Sequence, residues 1–120
     1  MPIANAIASL AVRDLQAAVQ WYRAVLGKAP DSQPMPEVAE WQFERGGWLQ
    51  VYSAPDRAGR GSVTLAVTSI DGEAERLAGL GLEIDTSRRT TSVKVKTLMI
   101  ADPDGNSIAF AEALDPTIAQ

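Results

Sequence analysis

Apolar and polar residues alternate with a period of two in several short segments of this chain and follow a helical period in two others. Residues 7–13, IASLAVR, place Ala8, Leu10 and Val12 on one phase and Ile7, Ser9 and Ala11 on the other, which predicts a strand. From Leu15 to Leu26 the apolar residues recur at helical spacing. Asp14 is a suitable N-cap for this helix, and Gly27 stands where a helix commonly ends. The first 27 residues therefore predict a strand followed by a helix.

The rest of the first half predicts three further strands. Residues 30–36 contain three prolines and predict a loop, with one weak strand near residues 29–36. VAEWQFER and WLQVYS flank Arg45-Gly46-Gly47, and two strand-like runs around a glycine pair are typical of a hairpin. Residues 53–61, SAPDRAGRG, are rich in turn formers and predict a linker.

The same order of elements then repeats. SVTLAVTS predicts a strand, Asp71–Leu80 a short helix that ends at Gly81, and LEIDTSRR, VKVKTLMIA and SIAFAEAL three more strands. DPDGN, residues 102–106, predicts a structural turn before the last strand. We expect the tail, residues 115–120, to be loose.

The two halves also match in sequence. Leu10-Ala11-Val12 recurs as Leu65-Ala66-Val67, 55 residues later, and each copy precedes a helix that closes on glycine. An internal repeat of this size indicates two copies of one βαβββ unit, each too small to bury its own core alone. We therefore predict an α+β fold in a single domain, residues 1–120, with modules at 5–54 and 61–114 and a linker at 55–60.

Each strand has one face that suits a core and another of mixed character. The predicted core residues are apolar, and they should pack against the two helices: Ala8, Leu10, Val12, Leu49, Val51, Val63, Leu65, Val67, Ile108 and Phe110. The opposite face mixes small, hydroxyl and aromatic side chains: Ile7, Ser9, Ala11, Trp48, Gln50, Tyr52, Ser62, Thr64, Ala66, Ser107, Ala109 and Ala111. This mixture suits the wall of a ligand cleft, whereas a solvated face or a dimer interface is the alternative.

Composition removes several kinds of chemistry. The chain has no cysteine and no histidine, so disulfides, thiolate catalysis, a Ser-His-Asp triad and zinc bound by nitrogen or sulfur cannot be built. An all-oxygen site for a hard cation is the one metal site that these residue types still permit. A net charge of −4 and the lack of a basic stripe argue against nucleic acid. Mild acidity weakly favours a cationic small ligand.

The chain also lacks the signals of membrane insertion and export. No run of 18 apolar residues is present, and the first residues, MPIANAIASLAVRD, lack the basic start, apolar stretch and cleavage site of a signal peptide. We therefore expect neither a membrane span nor a signal peptide, and predict a cytoplasmic protein.

Four segments together resemble the vicinal oxygen chelate superfamily, which includes glyoxalase I, extradiol dioxygenases and the bleomycin resistance protein. They are SLAVRDLQAAVQWYRAVLG, GGWLQVY, TLAVTSIDGEAERLAGLGLEI and DPDGNSIAF, and the likeness spans about residues 7–113. The resemblance implies paired βαβββ modules, with helices on the outer face and curved mixed sheets around a cleft, commonly in a homodimer. It does not select one activity.

In metal-dependent members of that superfamily, four strand positions bind a divalent cation, usually through histidine and glutamate. The resemblance maps these positions onto Ile7, Gln50, Ser62 and Ala109, which include no histidine and no carboxylate. Two neutral oxygens do not satisfy a hard divalent cation, which takes about six oxygen ligands with charge among them. We therefore expect no bound metal and no cofactor.

The sequence favours a metal-free small-molecule binding protein of the bleomycin-resistance type, forming a homodimer. Its ligand would be planar or aromatic, with an antibiotic among the candidates. The predicted contacts are Ile7, Trp41, Trp48, Gln50, Tyr52, Ser62, Thr64 and Ala109; for residues 38–45 the pattern leaves open which side chains face the cleft. The alternatives are a metal-independent lyase, isomerase or dioxygenase-like enzyme that uses a carboxylate or Tyr52, and a dimer without a ligand. Trp21 and Tyr22 are predicted packing residues, whereas Arg57, Arg60 and Glu112 are expected at the surface.

Overall fold

The computed structural model describes residues 2–114, in which two four-stranded mixed sheets and two helices form an α+β fold. The described residues divide into two compact units, the first from residue 2 to Gly61 with Pro103–Asn106, the second from Ser62 to Asp102 with residues 107–114. Each unit contains one βαβββ module, as the repeat predicts. The predicted tail, 115–120, lies outside the described residues.

The first sheet is built from β1 (Ile7–Val12), β2 (Ser32–Met35), β3 (Val38–Gln42) and β4 (Trp48–Ser53). Their order is β1-β4-β3-β2, with β1 parallel to β4 and the other neighbours antiparallel. α1 (Leu15–Leu26) contacts β3 and β4. The weak strand predicted near residues 29–36 is therefore present, as the edge strand β2.

The ends of α1 follow from two residues. The Asp14 carboxylate accepts hydrogen bonds from the backbone N–H groups of Gln16 and Ala17, which have no carbonyl partner inside the helix. Gly27 adopts φ 82°, a left-handed conformation that glycine reaches without strain, and its N–H donates to the carbonyl of Arg23. Both caps are as the sequence predicts.

The second sheet repeats this arrangement with β5 (Ser62–Ala66), β6 (Arg89–Thr91), β7 (Val95–Ala101) and β8 (Ser107–Ala113), in the order β5-β8-β7-β6. α2 (Ile70–Ala78) contacts β7 and β8. The Ser69 hydroxyl accepts a hydrogen bond from the N–H of Gly72, and the Glu112 carboxylate accepts one from the N–H of Ile70. Both side chains therefore satisfy backbone N–H groups at the start of α2.

Several boundaries in the second module differ from the predictions, and β5 ends at Ala66 and β7 begins at Val95, inside the predicted segments. α2 ends at Gly79 rather than at Gly81, which instead takes φ 74° in the turn that follows. The strand predicted over LEIDTSRR begins only at Arg89. The carboxylate of Asp85 accepts from both the N–H and the hydroxyl of Ser87, and such local bonds favour a turn over an extended strand.

The turn that precedes β8 packs within the first unit. Asn106 is fully buried; its Nδ2 donates to the carbonyl of Ala11 at 2.8 Å, and its Oδ1 accepts from the N–H of Gly61 at 2.9 Å. The Asp104 carboxylate accepts from the N–H of Arg13 at 3.1 Å. These bonds satisfy backbone groups of β1 and the linker, which gives the DPDGN turn a structural role.

The buried residues lie mainly between each helix and its sheet. In the first unit they include Leu10, Tyr22, Trp41, Leu49 and Val51; in the second they include Ile70, Leu77, Leu98, Ile108 and Phe110. Trp21 and Tyr22 are buried packing residues, as predicted. Neither helix of the described chain has the length and apolar character to cross a bilayer.

Candidate functional site

The side of the first sheet that faces away from α1 carries the predicted ligand contacts of the first module. Register places Ile7 beside Trp48, Ser9 beside Gln50 and Ala11 beside Tyr52, so these six side chains share one face. We call this surface the open face of the first sheet. It also includes the β3 residues opposite β4, namely Val38, Glu40 and Gln42.

A chain of hydrogen bonds crosses this open face over three neighbouring strands. The hydroxyl of Ser9 donates to Gln50 Oε1 at 3.2 Å, and Gln50 Nε2 donates to Glu40 Oε2 at 3.1 Å. Both ends of the Gln50 amide are therefore bonded within the protein, which fixes the orientation of this side chain. This series of hydrogen bonds ends at the Glu40 carboxylate, which is not among the ligand contacts predicted from the sequence.

Trp48 and Tyr52 flank Gln50 along β4, and both are half-buried. Partial exposure leaves part of each ring accessible, in contrast to Leu49 and Val51, which point towards α1 and are fully buried. Aromatic rings on either side of a fixed amide offer stacking area together with hydrogen-bonding groups, the combination typical of small-molecule sites.

Trp41 is not on this face, and its predicted role as a ligand contact needs correction. It pairs with Leu49 on the helix side of the sheet and has no exposed surface. Its ring packs 5.9 Å from that of Tyr22, and its Nε1 donates to the carbonyl of Lys28 at 2.9 Å. Burial and a satisfied N–H group make Trp41 a core residue.

Glu40 and Gln42 lie on the open face of the first sheet. The sequence prediction leaves open which side chains of residues 38–45 have this orientation. A signal for this is present, because every second residue from 40 to 44 is polar whereas Ala39, Trp41 and Phe43 are apolar. The apolar phase of a strand in a one-sided sheet marks the core face. Applying that rule to residues 38–45 would have placed Glu40 on the open face.

The predicted contacts of the second module share a face of their own sheet. Ser62 pairs with Ser107, and Thr64 pairs with Ala109, on the side opposite the core residues Ile108 and Phe110. The open face of the second sheet thus carries mainly small and hydroxyl side chains: Ser62, Thr64, Ala66, Thr97, Ser107, Ala109 and Ala111, with Met99 beside Ala109.

The four positions that the resemblance assigns to a metal do not fit one. Ile7 and Ala109 carry no donor atom, Ser62 offers a neutral hydroxyl, and both ends of the Gln50 amide are already bonded. A hard divalent cation needs several oxygens with negative charge among them. Within residues 2–114, Asp and Glu side chains nowhere gather in groups of three or more that could hold a metal ion.

A wide concavity of about 470 Å³ lies elsewhere in the first unit, at the C-terminal end of α1. It is lined by Gln20, Arg23, Ala24, Gly27, Lys28 and Ala29. None of the predicted ligand contacts borders it. The Lys28 ammonium forms an ion pair with the Asp31 carboxylate at 2.7 Å. This bond is the main cause that lowers the pKa of Asp31, and the hydrogen bond from the N–H of Gln42 lowers it further.

Comparison with known proteins identifies the family of the chain. A family profile described as Glyoxalase/Bleomycin resistance protein/Dioxygenase superfamily matches residues 4–110. The chain belongs to this superfamily. The family match includes the first module, the second module up to residue 110, and all of the predicted site residues. A search of curated protein sequences found no significant match.

Several solved structures resemble the chain over nearly its whole length. A glyoxalase/bleomycin resistance protein from Catenulispora acidiphila is 34% identical, with a TM-score of 0.81 and coverage of 92% of this chain and 98% of that one. TnmS3, an antibiotic binding protein from Streptomyces sp. CB03234, is 21% identical, with a TM-score of 0.75 and coverage of 94% and 98%. Lactoylglutathione lyase from Agrobacterium tumefaciens is 22% identical, with a TM-score of 0.75 and coverage of 93% and 95%.

These neighbours establish the fold but do not select a function. One is named for antibiotic binding and another for a lyase activity, although both share this fold at similar identity. A fold that serves both binding and catalysis leaves the decision to the side chains of the site.

Proposed function

We propose that this superfamily member binds a planar aromatic small molecule on the open face of the first sheet, without a metal ion. The observation that carries the proposal is the order Trp48, Gln50, Tyr52 along β4, in which two partly exposed rings flank an amide held in place by its neighbours. Stacking on the rings supplies affinity, and the fixed polar group supplies orientation.

The donor chemistry supports the metal-free part of this proposal. Ile7 and Ala109 replace the usual ligands by side chains that cannot coordinate, so binding would depend on shape, stacking and hydrogen bonds alone. Sequestration of a ligand requires neither a nucleophile nor a general base. Ser62, Thr64 and Ala109 stay predicted contacts on the open face of the second sheet.

A direct test uses the intrinsic fluorescence of the tryptophans. A panel of planar antibiotics and aromatic metabolites would be titrated into wild-type protein, Trp48→Leu and, as a matched control, Trp21→Leu, whose site lies on α1. We expect saturable binding, insensitive to EDTA, that weakens at least tenfold in Trp48→Leu and little in Trp21→Leu. Equal affinity in all three proteins, measured by calorimetry, would refute the assignment of this face.

A metal-independent lyase or isomerase is the second candidate, because a carboxylate and a phenol, those of Glu40 and Tyr52, share the open face. Turnover that persists in EDTA and disappears in Tyr52→Phe would establish the enzyme. We also propose that the protein is a homodimer, as the resemblance implies. Light scattering coupled to size-exclusion chromatography would show a mass twice that of the chain, and a monomer at all concentrations would refute it.

A further inference from the structure

We propose that Glu40 makes the open face of the first sheet selective for cationic ligands, in which a positive charge sits on or beside a planar ring. This inference rests on the proposed function and adds to it the chemical class of the ligand. It depends on three observations: where Glu40 lies, what its carboxylate contacts, and what it does not contact.

Register fixes the position of Glu40. It lies in the middle of β3, directly opposite Gln50, and its strand neighbours on the same face stand opposite Trp48 and Tyr52. Diagonal side chains across an antiparallel pair are about 7–8 Å apart, a distance that one fused aromatic ring system spans. A ligand stacked on either ring would therefore bring its edge to the carboxylate.

The contacts of the carboxylate leave its charge uncompensated. Glu40 Oε2 accepts one hydrogen bond from the neutral amide of Gln50. None of the ion pairs in residues 2–114 involves Glu40; they link Asp31, Asp71, Glu73 and Asp104 to nearby lysines and arginines. The Glu40 carboxylate is half-buried, so the local dielectric constant is lower than in bulk water. Its attraction to a cationic ligand is therefore stronger than that of a carboxylate in bulk water.

The rest of the chain of hydrogen bonds explains why the carboxylate stays in place. Ser9 holds Gln50 Oε1, so the Gln50 amide must present its NH₂ group to Glu40. An amide in the opposite orientation would place oxygen against oxygen. The face thus offers a cation both a fixed negative charge and the negative faces of two rings, and these two attractions act together.

The test compares two probes of the same shape and different charge. N-methylquinolinium carries a permanent positive charge, whereas 1-methylnaphthalene is its neutral isostere. Each would be titrated into ¹⁵N-labelled wild-type protein, Glu40→Gln and Glu44→Gln, with the Trp48 indole N–H signal as the readout. Glu44 is an exposed carboxylate in the β3–β4 turn, so its variant changes the net charge equally without altering the open face.

We expect wild-type protein and Glu44→Gln to bind the cation at least tenfold more tightly than the neutral probe, and Glu40→Gln to bind both about equally. Equal binding of the two probes by wild-type protein would overturn the charge selectivity while leaving the aromatic site intact. If neither probe moves the Trp48 signal, the aromatic site fails as well. Selectivity that persists unchanged in Glu40→Gln would assign the charge to another residue and refute the proposal.

Discussion

Replacing Asn106 by alanine provides the sharpest test of how the first unit is held together. The side chain is fully buried and satisfies two backbone groups, the carbonyl of Ala11 at 2.8 Å and the N–H of Gly61 at 2.9 Å. Alanine cannot replace either bond. The variant would leave the N–H of Gly61 without this partner, and the carbonyl of Ala11 with the longer bond from the N–H of Gly59, at 3.4 Å.

The size of the effect follows from those two groups. Leaving the partly buried N–H of Gly61 unsatisfied costs about 1–3 kcal/mol, and losing one of the two bonds to the carbonyl of Ala11 adds about 1 kcal/mol. We therefore expect Asn106→Ala to lose about 2–4 kcal/mol of unfolding free energy. Because small domains have a total stability of about 5–15 kcal/mol, this loss would be a large fraction of the whole.

Urea denaturation followed by far-ultraviolet circular dichroism would measure this loss. With a urea dependence of about 1–3 kcal/mol per molar, the midpoint should fall by about 0.7–4 M. Asn5→Ala is the matched control, since Asn5 also donates to a backbone carbonyl, that of Gly46, but at an exposed site. A loss in Asn106→Ala no larger than that in Asn5→Ala would refute the reasoning.

A second variant separates the two bonds. Asn106→Asp keeps an acceptor for the N–H of Gly61 but places a carboxylate oxygen against the carbonyl of Ala11. Burial raises the pKa of such a carboxyl above about 3.9, so the neutral form is favoured in the folded state. The protonated group can donate to Ala11, and the variant should therefore approach wild-type stability at acidic pH and lose it as pH rises through the raised pKa.

Three further changes test other parts of the first unit. Trp41→Phe removes the hydrogen bond to the carbonyl of Lys28 and part of a buried ring, and should cost about 1–3 kcal/mol by urea denaturation. Gly59→Ala should cost about 3 kcal/mol or more, because φ is 83° and an added Cβ would lie 2.0 Å from the carbonyl oxygen of Asp104. The Lys28 bond lowers the pKa of Asp31, so Asp31 should titrate below 3.8 in carboxyl NMR spectra; its contribution to stability is present above the unfolded pKa and is lost as pH falls through the folded pKa.

Each of these predictions has a control within the chain. Ligand binding should survive in Trp41→Phe, and its loss would show that the core assignment is incomplete. Gly47→Ala should be well tolerated, since φ is not positive and no atom lies within 4 Å of the added Cβ. In Lys28→Met the pKa of Asp31 should rise, and an unchanged titration would show that the Lys28 ammonium does not lower it.

The sequence alone predicts those strands and helices whose signals lie within the segment that forms them. The alternation of β1 and the Asp14 and Gly27 caps of α1 lie within the segment that they specify, so strand, helix and boundaries are predicted together. The sequence does not determine where α2 ends, because a helix could end at either Gly79 or Gly81. The bonds between Asp85 and Ser87 shorten β6 through side-chain geometry that periodicity does not report.

The face of β3 shows a different limit. The sequence predicts Trp41 as a ligand contact because tryptophan suits both a core and a binding wall, and residue type alone does not separate them. Its neighbours decide the question: Tyr22 and the carbonyl of Lys28 come from other parts of the chain. The alternation of residues 38–45 is enough to place Glu40 on the open face, but its contact with Gln50, ten residues away, depends on strand pairing that the sequence does not show.

The comparison of the two sheets predicts which open face contributes more to ligand binding. Both sheets have the same strand order, yet the open face of the first carries aromatic, amide and carboxylate groups, whereas that of the second carries mostly small and hydroxyl side chains. Because the backbone arrangement is shared, the difference between the faces is one of side chains alone. Groups that stack and carry charge contribute most to affinity, while small residues mainly leave volume. Substitutions on the first open face should therefore change ligand affinity more than substitutions of equal size on the second.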